Sequence, residues 1–135
     1  LETSMRLSEI TSMRWEHIAD DYVLLPNTKN GSARKVPLNK NAVALLDRAK
    51  GLDNDVVLTI SADSLSTTFR KYRDTTHLTH INFHDTRHEA CTKFAQMMPI
   101  QDLAKVTGHK DLAMLMRYYN PTASELAQRM NEKLN

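Results

Sequence analysis

Residues 108–119 read GHKDLAMLMRYY, and upstream of them residues 84–87 read HDTR. The first segment predicts a glycine-histidine turn followed by a short helix that carries a phenol, Tyr118, nine positions after His109. The second segment places a histidine and an arginine three positions apart. Cationic side chains, imidazoles and a phenol at this spacing indicate a site for phosphoryl transfer rather than a packing pattern.

The residue types suit the chemistry of a phosphodiester, whose negative oxygens repel a nucleophile. A site that opens such a bond must neutralise the charge that grows in the transition state. Arg6 and Arg87 can do this without a metal ion, because a guanidinium stays charged and binds two phosphate oxygens at once. His109 can donate a further hydrogen bond to a non-bridging oxygen. A phenol holds its proton up to about pH 10 in water, so Tyr118 needs nearby cations and a base.

Five fragments, in order along the chain, resemble the sequence boxes of the tyrosine recombinases of the phage integrase family. Residues 3–10 (TSMRLSEI) are similar to the first arginine box, Thr-Gly-x-Arg-x-x-Glu, with Ser4 at the glycine position. That replacement matters only if the backbone there needs a positive φ. Residues 28–38 resemble the hairpin that carries the family's lysine, which we place on Lys29, with Lys35 as the alternative. The other boxes match His84 with Arg87, then His109, then the nucleophile Tyr118.

The resemblance implies a role for each remaining residue. Lys29 would act as the general acid that protonates the leaving deoxyribose oxygen. His84 corresponds to the family residue assigned to base or positioning work. Glu9, one helical turn after Arg6, would orient Arg6 or a site histidine. The product would be a 3′-phosphotyrosine with a free 5′-hydroxyl, and neither a cofactor nor a metal is expected.

By resemblance, the function is site-specific DNA recombination, in which mobile DNA is integrated or excised. The expected partners are double-stranded DNA, accessory DNA-bending proteins and further copies of the protein. Those copies would form a tetramer on paired DNA sites and associate weakly, or stay monomeric, without DNA. One alternative is a type IB topoisomerase, although those enzymes usually carry lysine at the position of His84. The other is a non-catalytic DNA-binding module, although no tyrosine or arginine of the boxes is missing.

Length and composition agree with a single domain of an intracellular protein. The 135 residues can bury one core, and the net charge of +2 permits a nucleic-acid partner without requiring one. A lone cysteine, Cys91, fits a reducing compartment, and no apolar run reaches the length of a membrane span. We expect a cytoplasmic, nucleoid-associated protein encoded by a bacterium or a phage.

The first arginine box begins only two residues after Leu1, which is not an initiator methionine. We therefore interpret residues 1–135 as a fragment comprising a catalytic domain, without the family's N-terminal DNA-binding domain and without the first helices of the catalytic domain.

The coarse pattern predicts an α+β fold that is mostly α-helical, with one small antiparallel sheet. Residues 22–25 and 34–38 form a hairpin with Lys29 near its tip. Asn39 caps a helix that stops at Gly51, and residues 55–60 form either a third strand or a buried connector.

Further helices follow from capping and apolar spacing. Ser61 or Asp63 begins a helix whose apolar positions are Leu65, Phe69 and Tyr72, and whose other face is basic. Asp85 caps the next helix, with a buried stripe of Ala90, Phe94 and Met97. Pro99 opens a helix that ends at Gly108, Asp111 caps the helix to Tyr118, and a capping box of Thr122 and Glu125 opens the last helix.

Two surface patterns allow more than one interpretation. Histidines at four-residue intervals could bind a metal together with Cys91, but only on a helix unbroken through Asn82 and Asp85; these histidines are His80, His84 and His88. The last helix carries an apolar stripe that must be buried, either on its own domain or on a neighbouring protomer; the stripe consists of Leu126, Met130 and Leu134.

Overall fold

The computed structural model describes residues 1–28, 31–51 and 55–134. Within these ranges the chain forms a helical protein with one two-stranded antiparallel sheet, so the predicted fold class is confirmed. The strands are β1 (Tyr22–Leu25) and β2 (Arg34–Pro37). The helices are α1 (Leu7–Thr11), α2 (Lys40–Ala49), α3 (Ala62–Arg73), α4 (Phe83–Ala95), α5 (Ile100–Thr107) and α6 (Ala123–Leu134). Short 3-10 turns cover Trp15–His17, Leu112–Met114 and Met116–Tyr118.

The hairpin carries an arginine on its inward face. Val23 pairs with Val36 and Leu25 with Arg34, and both valines are fully buried. Because side chains alternate along a strand, Arg34 lies on the same face as Val36 and points toward the interior. The predicted hairpin is therefore present, and one of its strands brings a buried positive charge to the domain's centre. Lys29, predicted near the hairpin tip, lies outside the described residues.

Two apolar clusters make up the core. The first packs the sheet against α1, α2 and the segment before α3; its buried members are Met5, Met13, Val23, Leu25, Val36, Leu38, Ala42 and Val57. The second lies between α4, α5 and the 3-10 turns; its buried members are Ala90, Phe94, Ala95, Leu103, Val106 and Leu115.

The predicted caps are correct where local chemistry alone decides them. The side chain of Asn39 accepts a hydrogen bond from the Ala42 amide at 2.9 Å, and Ser61 accepts one from the Ser64 amide at 3.1 Å. Gly108 ends α5 with φ +78°, a left-handed conformation that glycine adopts at little cost.

The predicted start of α4 is wrong by one turn. Asn82, not Asp85, is the N-cap, and the two form a capping box in which each side chain accepts the other's amide, at 3.1 and 2.7 Å. Asp85 is thus the third residue of the helix, and His84 is the second. The predicted buried stripe also fails at Met97, which is 66% exposed because α4 ends at Ala95.

Three further expectations are settled by packing. Residues 55–60 form a connector, because Val56 makes only an isolated bridge with Arg14 while Val57 is buried. Tyr72 is 68% exposed and so leaves the apolar side of α3. The segment before Tyr118 forms two successive 3-10 turns instead of the expected helix, with Asp111 capping the first of them.

The last helix is capped as predicted but is not buried. Thr122 and Glu125 form the capping box, with hydrogen bonds of 2.8 and 3.2 Å. None of the residues described in α6 is buried, and the apolar stripe lies exposed at Leu126, Met130 and Leu134. Among the described helices, none has the length and apolar character needed to span a bilayer.

Candidate active site

Arg87 joins three segments of the chain. Its side chain projects from α4, is 4% exposed, and donates hydrogen bonds to the main-chain carbonyl oxygens of Ser4 and, at 2.8 Å, of Thr107. Burial, reinforced by the positive charge of Arg6, lowers the pKa of Arg87 below its usual value. These bonds use two of the five N–H groups of a guanidinium and fix the orientation of the rest.

Ser4 presents its carbonyl to Arg87 from a strained backbone. It has φ +55° and is the one non-glycine residue with positive φ in the described part of the chain. Its side chain is buried, and its hydroxyl has no hydrogen-bond partner among the described groups. The position therefore needs the left-handed conformation that glycine adopts easily.

Arg6 carries a buried N–H group that has no hydrogen-bond partner among the described residues. It occupies the N-cap position of α1, where its main-chain N–H donates to Glu9 Oε1 at 2.9 Å. Its Nη1 lies 3.7 Å from the same oxygen, beyond hydrogen-bonding distance, and no described group satisfies it. An unpaired buried N–H is costly unless something else binds it.

Glu9 forms a bidentate ion pair that the sequence analysis missed. Both carboxylate oxygens of this buried residue accept from the Arg34 guanidinium, Oε2 from Nη1 and Oε1 from Nη2 at 3.1 Å. Glu9 thus touches Arg6 as expected, and also anchors Arg34. The signal was present in the strand: an arginine two positions before the apolar Val36 falls on the inward face and requires a partner.

Arg34 in turn shapes the turn that leads to His109. A Cβ atom added at Gly108 would lie 2.9 to 3.0 Å from three atoms of the Arg34 guanidinium end. Glycine is required there both for its positive φ and for this close approach. The ion pair with Glu9 therefore holds the guanidinium of Arg34 against the glycine-histidine turn.

His109 has its proton position set by Thr107. The Thr107 hydroxyl donates its single proton to the Leu103 carbonyl at 3.0 Å, so it accepts from His109 Nδ1 at 2.7 Å. Nε2 remains as the ring nitrogen free of this bond. Burial, together with four arginines of which Arg87 acts most strongly, lowers the pKa of His109 to about 4.

Tyr118 lies on the second 3-10 turn before α6, and its half-buried ring packs against the second apolar cluster. Its phenol forms a hydrogen bond with Nδ1 of His88. The guanidinium of Arg117 lies 4.9 Å from the centre of its ring. His88, which the sequence analysis named only as part of a possible metal stripe, therefore contacts the predicted nucleophile. It follows His84 by one helical turn, so both face the same side of α4.

His84 lies one turn before His88 and is exposed. The two imidazole rings meet edge to face, with centres 4.9 Å apart. The partial desolvation of its ring, followed by the charge of a protonated His88, lowers the pKa of His84.

One cavity of about 380 Å³ collects the predicted residues that the structure describes. Five of the predicted catalytic side chains line it, namely Arg6, His84, Arg87, His109 and Tyr118, and His88, Cys91 and Arg117 lie among them. Lys29 is outside the described residues. Lys35 lies elsewhere, with its Nζ 4.8 Å from the centre of the Tyr22 ring.

The metal alternative finds no support in the described part of the chain. No group of three or more histidine, cysteine or acidic side chains there is arranged to hold an ion. The histidine stripe is also broken, because α4 begins at Phe83 and leaves His80 outside the helix.

Comparison with known proteins places the chain in a family. Residues 1–125 match the sequence model of the phage integrase family. The chain is 40% identical over 133 residues to a Haemophilus influenzae protein provisionally assigned as an integrase/recombinase, a match that covers 95% of the chain and 44% of that protein. It is 32% identical over 137 residues to the shufflon-specific DNA recombinase of Escherichia coli, covering 98% of the chain and 36% of the relative. The chain thus spans less than half the length of these relatives.

Solved structures agree on the fold. The XerA recombinase superimposes with a TM-score of 0.72 at 16% identity, over 98% of this chain and 53% of that one. A lambda integrase tetramer bound to a Holliday junction superimposes with a TM-score of 0.74 at 20% identity, over 88% of this chain and 39% of that one. With its boxes and fold in agreement, the chain belongs to the phage integrase family of tyrosine recombinases.

Proposed function

We propose that this chain is the catalytic domain of an enzyme that cuts and rejoins DNA strands through a 3′-phosphotyrosine, and so integrates or excises mobile DNA. The observation that carries the proposal is one cavity that Arg6, Arg87, His109 and Tyr118 line together. A scissile phosphate in this cavity would lie beside the guanidinium groups and the phenol oxygen.

In the cleavage step, Tyr118 Oη forms a bond to phosphorus while the bond from phosphorus to the 5′ oxygen breaks. Arg6 and Arg87 stabilise the growing negative charge, which removes the need for a metal ion. Lys29 gives its proton to the leaving 5′ oxygen. Religation runs the same steps in reverse, so no nucleotide is consumed.

His109 gains a proton when the phosphate binds. With a pKa of about 4, the imidazole is neutral near pH 7, and Nε2 carries a lone pair. An adjacent anion favours the charged form of a histidine, so the bound phosphate draws a second proton onto Nε2. His109 then donates from Nε2 to a non-bridging oxygen while Nδ1 stays bonded to Thr107.

The expected partners follow from the proposed cleavage and rejoining of DNA. Duplex DNA supplies the phosphate, and the lambda integrase structure, a tetramer on a Holliday junction, provides the precedent for assembly on paired sites. The exposed stripe of α6 would dock on a neighbouring protomer in such an assembly, with accessory DNA-bending proteins aligning the sites. Light scattering on paired sites, comparing the wild type with a Leu126→Glu, Met130→Glu double variant, measures this contact; equal assembly by the folded variant would refute it.

Covalent trapping on a library of nicked duplexes tests the proposed function. The nick lets the short 5′-hydroxyl strand diffuse away, so that the adduct accumulates and its DNA can be sequenced. We expect the intact protein to form adducts on one consensus sequence in the presence of EDTA, Tyr118→Phe to form none while still binding DNA, and Tyr119→Phe to form them normally.

Each other outcome contradicts the proposal in a distinct way. Adducts spread over all sequences, with relaxation of random supercoiled DNA, would indicate a topoisomerase. DNA binding without any adduct would indicate a binding module. An adduct that requires magnesium or zinc would refute the metal-free mechanism.

A further inference from the structure

The proposed reaction needs an acceptor for one proton. Tyr118 must lose the proton of its phenol as the oxygen attacks phosphorus, and Lys29, proposed as the acid, supplies a proton instead of accepting one. Within the described part of the chain, the hydrogen-bond partner of the phenol is Nδ1 of His88. No hydrogen bond joins the phenol to His84 or His109, the two imidazoles that the sequence boxes contain.

Those two histidines are also committed elsewhere. His109 donates from Nδ1 to Thr107, and with phosphate bound its Nε2 also carries a proton, so neither ring nitrogen can accept the proton of the phenol. His84 meets the ring of His88 edge to face and lies one helical turn before it on α4. Its exposed ring supports His88 without contacting the phenol.

We propose that His88 is the catalytic base of this site, and that its Nδ1 accepts the phenolic proton of Tyr118 during cleavage and returns it during religation. This inference rests on the proposed function. In the step, the Tyr118 O–H bond breaks, the proton forms a bond with Nδ1, and the phenolate oxygen forms its bond to phosphorus. The 5′ oxygen leaves with a proton from Lys29, so protons and charge balance.

The position of His88 suits this role. It directly follows Arg87, which Ser4 and Thr107 hold by two carbonyl oxygens, so the base and a phosphate-binding arginine share one rigid turn of α4. The ring planes of His88 and Tyr118 are inclined by only 30°, with centres 6.0 Å apart. A fixed base within hydrogen-bonding distance is the geometry that general-base catalysis requires.

The test uses a nicked duplex whose scissile 5′ oxygen is replaced by sulfur, because a thiolate leaves without being protonated. On this substrate the acid step no longer limits the rate, and adduct formation reports the activation of Tyr118. We expect His88→Ala to slow adduct formation by about 10²- to 10³-fold, in the range typical of general bases. DNA binding by the folded variant should be unchanged.

Two further arms separate a base from a merely structural residue. Free imidazole in the buffer should restore much of the rate of His88→Ala, since the deleted ring leaves space beside the cavity. His88→Asn should stay slow, because its amide oxygen accepts the phenol's hydrogen bond but cannot hold the proton. Glu89→Ala, an exposed neighbour on α4, is the matched control and should react at the wild-type rate.

The outcomes distinguish this inference from the proposed function. A wild-type protein that forms no adduct would refute the proposed function itself. If the wild type forms the adduct, three results would each overturn the role of His88 and leave the proposed function intact. The first two are adduct formation at the wild-type rate by His88→Ala or by His88→Asn. The third is that imidazole restores the rate of His84→Ala and not that of His88→Ala. Loss of rate in His88→Ala that imidazole does not restore, in a protein with an unchanged circular dichroism spectrum, would also overturn it.

Discussion

The guanidinium of Arg87 donates a hydrogen bond to the main-chain carbonyl of Ser4, 83 positions earlier in the chain. This bond ties the first arginine box to the His-x-x-Arg box, and it depends on a backbone conformation that serine adopts only with strain. The cavity that Arg87 lines therefore depends on the strained backbone of Ser4, whose replacement has a predictable effect.

We expect Ser4→Gly to stabilise the domain. Glycine relieves the left-handed strain and removes an unpaired buried hydroxyl, and these gains exceed its extra entropy in the unfolded chain by about 1 kcal/mol. Thermal unfolding should shift upward by a few degrees. Ser4→Ala is the control: it removes the hydroxyl but keeps the strain, so it should fall below Ser4→Gly. Equal melting temperatures for the two variants would contradict the strain argument.

Replacing Arg6 and replacing Arg87 should have different effects on cleavage and stability. Arg6→Ala removes a donor to the transition state, and we expect cleavage to fall by about 10²- to 10³-fold, or ~3–4 kcal/mol, with little change in stability. Arg87→Ala should abolish cleavage and also destabilise the fold by about 2–5 kcal/mol, because the buried carbonyls of Ser4 and Thr107 lose their donor.

Arg14→Ala is the matched control for both variants. Arg14 is a more exposed arginine that contacts Glu16, and such surface pairs contribute about 0–1 kcal/mol. Cleavage assays and urea unfolding on the three variants decide the matter. An Arg87→Ala protein as stable as the Arg14→Ala protein would show that the two carbonyl contacts do not support the fold.

Gly108 and Gly31 can be compared to measure the steric effect of Arg34 on the turn before His109. Both have nearly the same positive φ, 78° and 77°, but a Cβ at Gly31 would meet nothing within 4 Å. We expect Gly31→Ala to cost about 1 kcal/mol from strain alone, and Gly108→Ala to cost a further 1–3 kcal/mol, roughly, from the clash. Chemical denaturation measures both. Equal costs would mean that Arg34 moves aside freely.

His109 should make the stability of the domain depend on pH in acid. Its folded pKa of about 4 lies below the ordinary value of 6.5, so the unfolded chain takes up the proton first as the pH falls. The stabilising contribution of the neutral imidazole is therefore complete above about pH 6.5 and is lost progressively toward about pH 4. Thermal unfolding without DNA should follow this course.

Asparagine is the informative replacement at His109, because its amide can still donate to Thr107 but does not titrate. His109→Asn should have a flatter dependence of melting temperature on pH than the wild type between about pH 6.5 and 4. His84, whose pKa is also lowered, remains in both proteins and cancels in the comparison. Identical slopes would remove His109 as the source of the effect.

Lys29 is predicted to protonate the leaving oxygen. If so, Lys29→Ala should cleave a normal phosphodiester slowly and regain most of its rate when the scissile 5′ oxygen is sulfur. Lys35→Ala is the control, since Lys35 stacks on Tyr22 and should react normally on both substrates. Equal defects of Lys29→Ala on both substrates would exclude the acid role, and sulfur rescue confined to Lys35→Ala would transfer it to Lys35.

The features that could be read from the chain are those that neighbouring residues decide. Asn39, Ser61 and the Thr122 box cap their helices because the capping oxygen and the amide it accepts lie within a few positions of each other. The hairpin, the mostly helical α+β class and the arginine, histidine and tyrosine boxes are likewise short-range patterns. The predicted start of α4 was wrong because Asn82 and Asp85 are both competent caps, and the capping box uses both.

Contacts between distant segments could not be read in the same way. The bonds from Arg34 to Glu9, from Arg87 to Ser4 and from Tyr118 to His88 each join residues separated by 25 or more positions. Order and spacing predicted five of the side chains that line the cavity. Only the tertiary structure decided which partner each buried charge receives, because a buried polar group takes whichever partner the packing of the two cores places within reach.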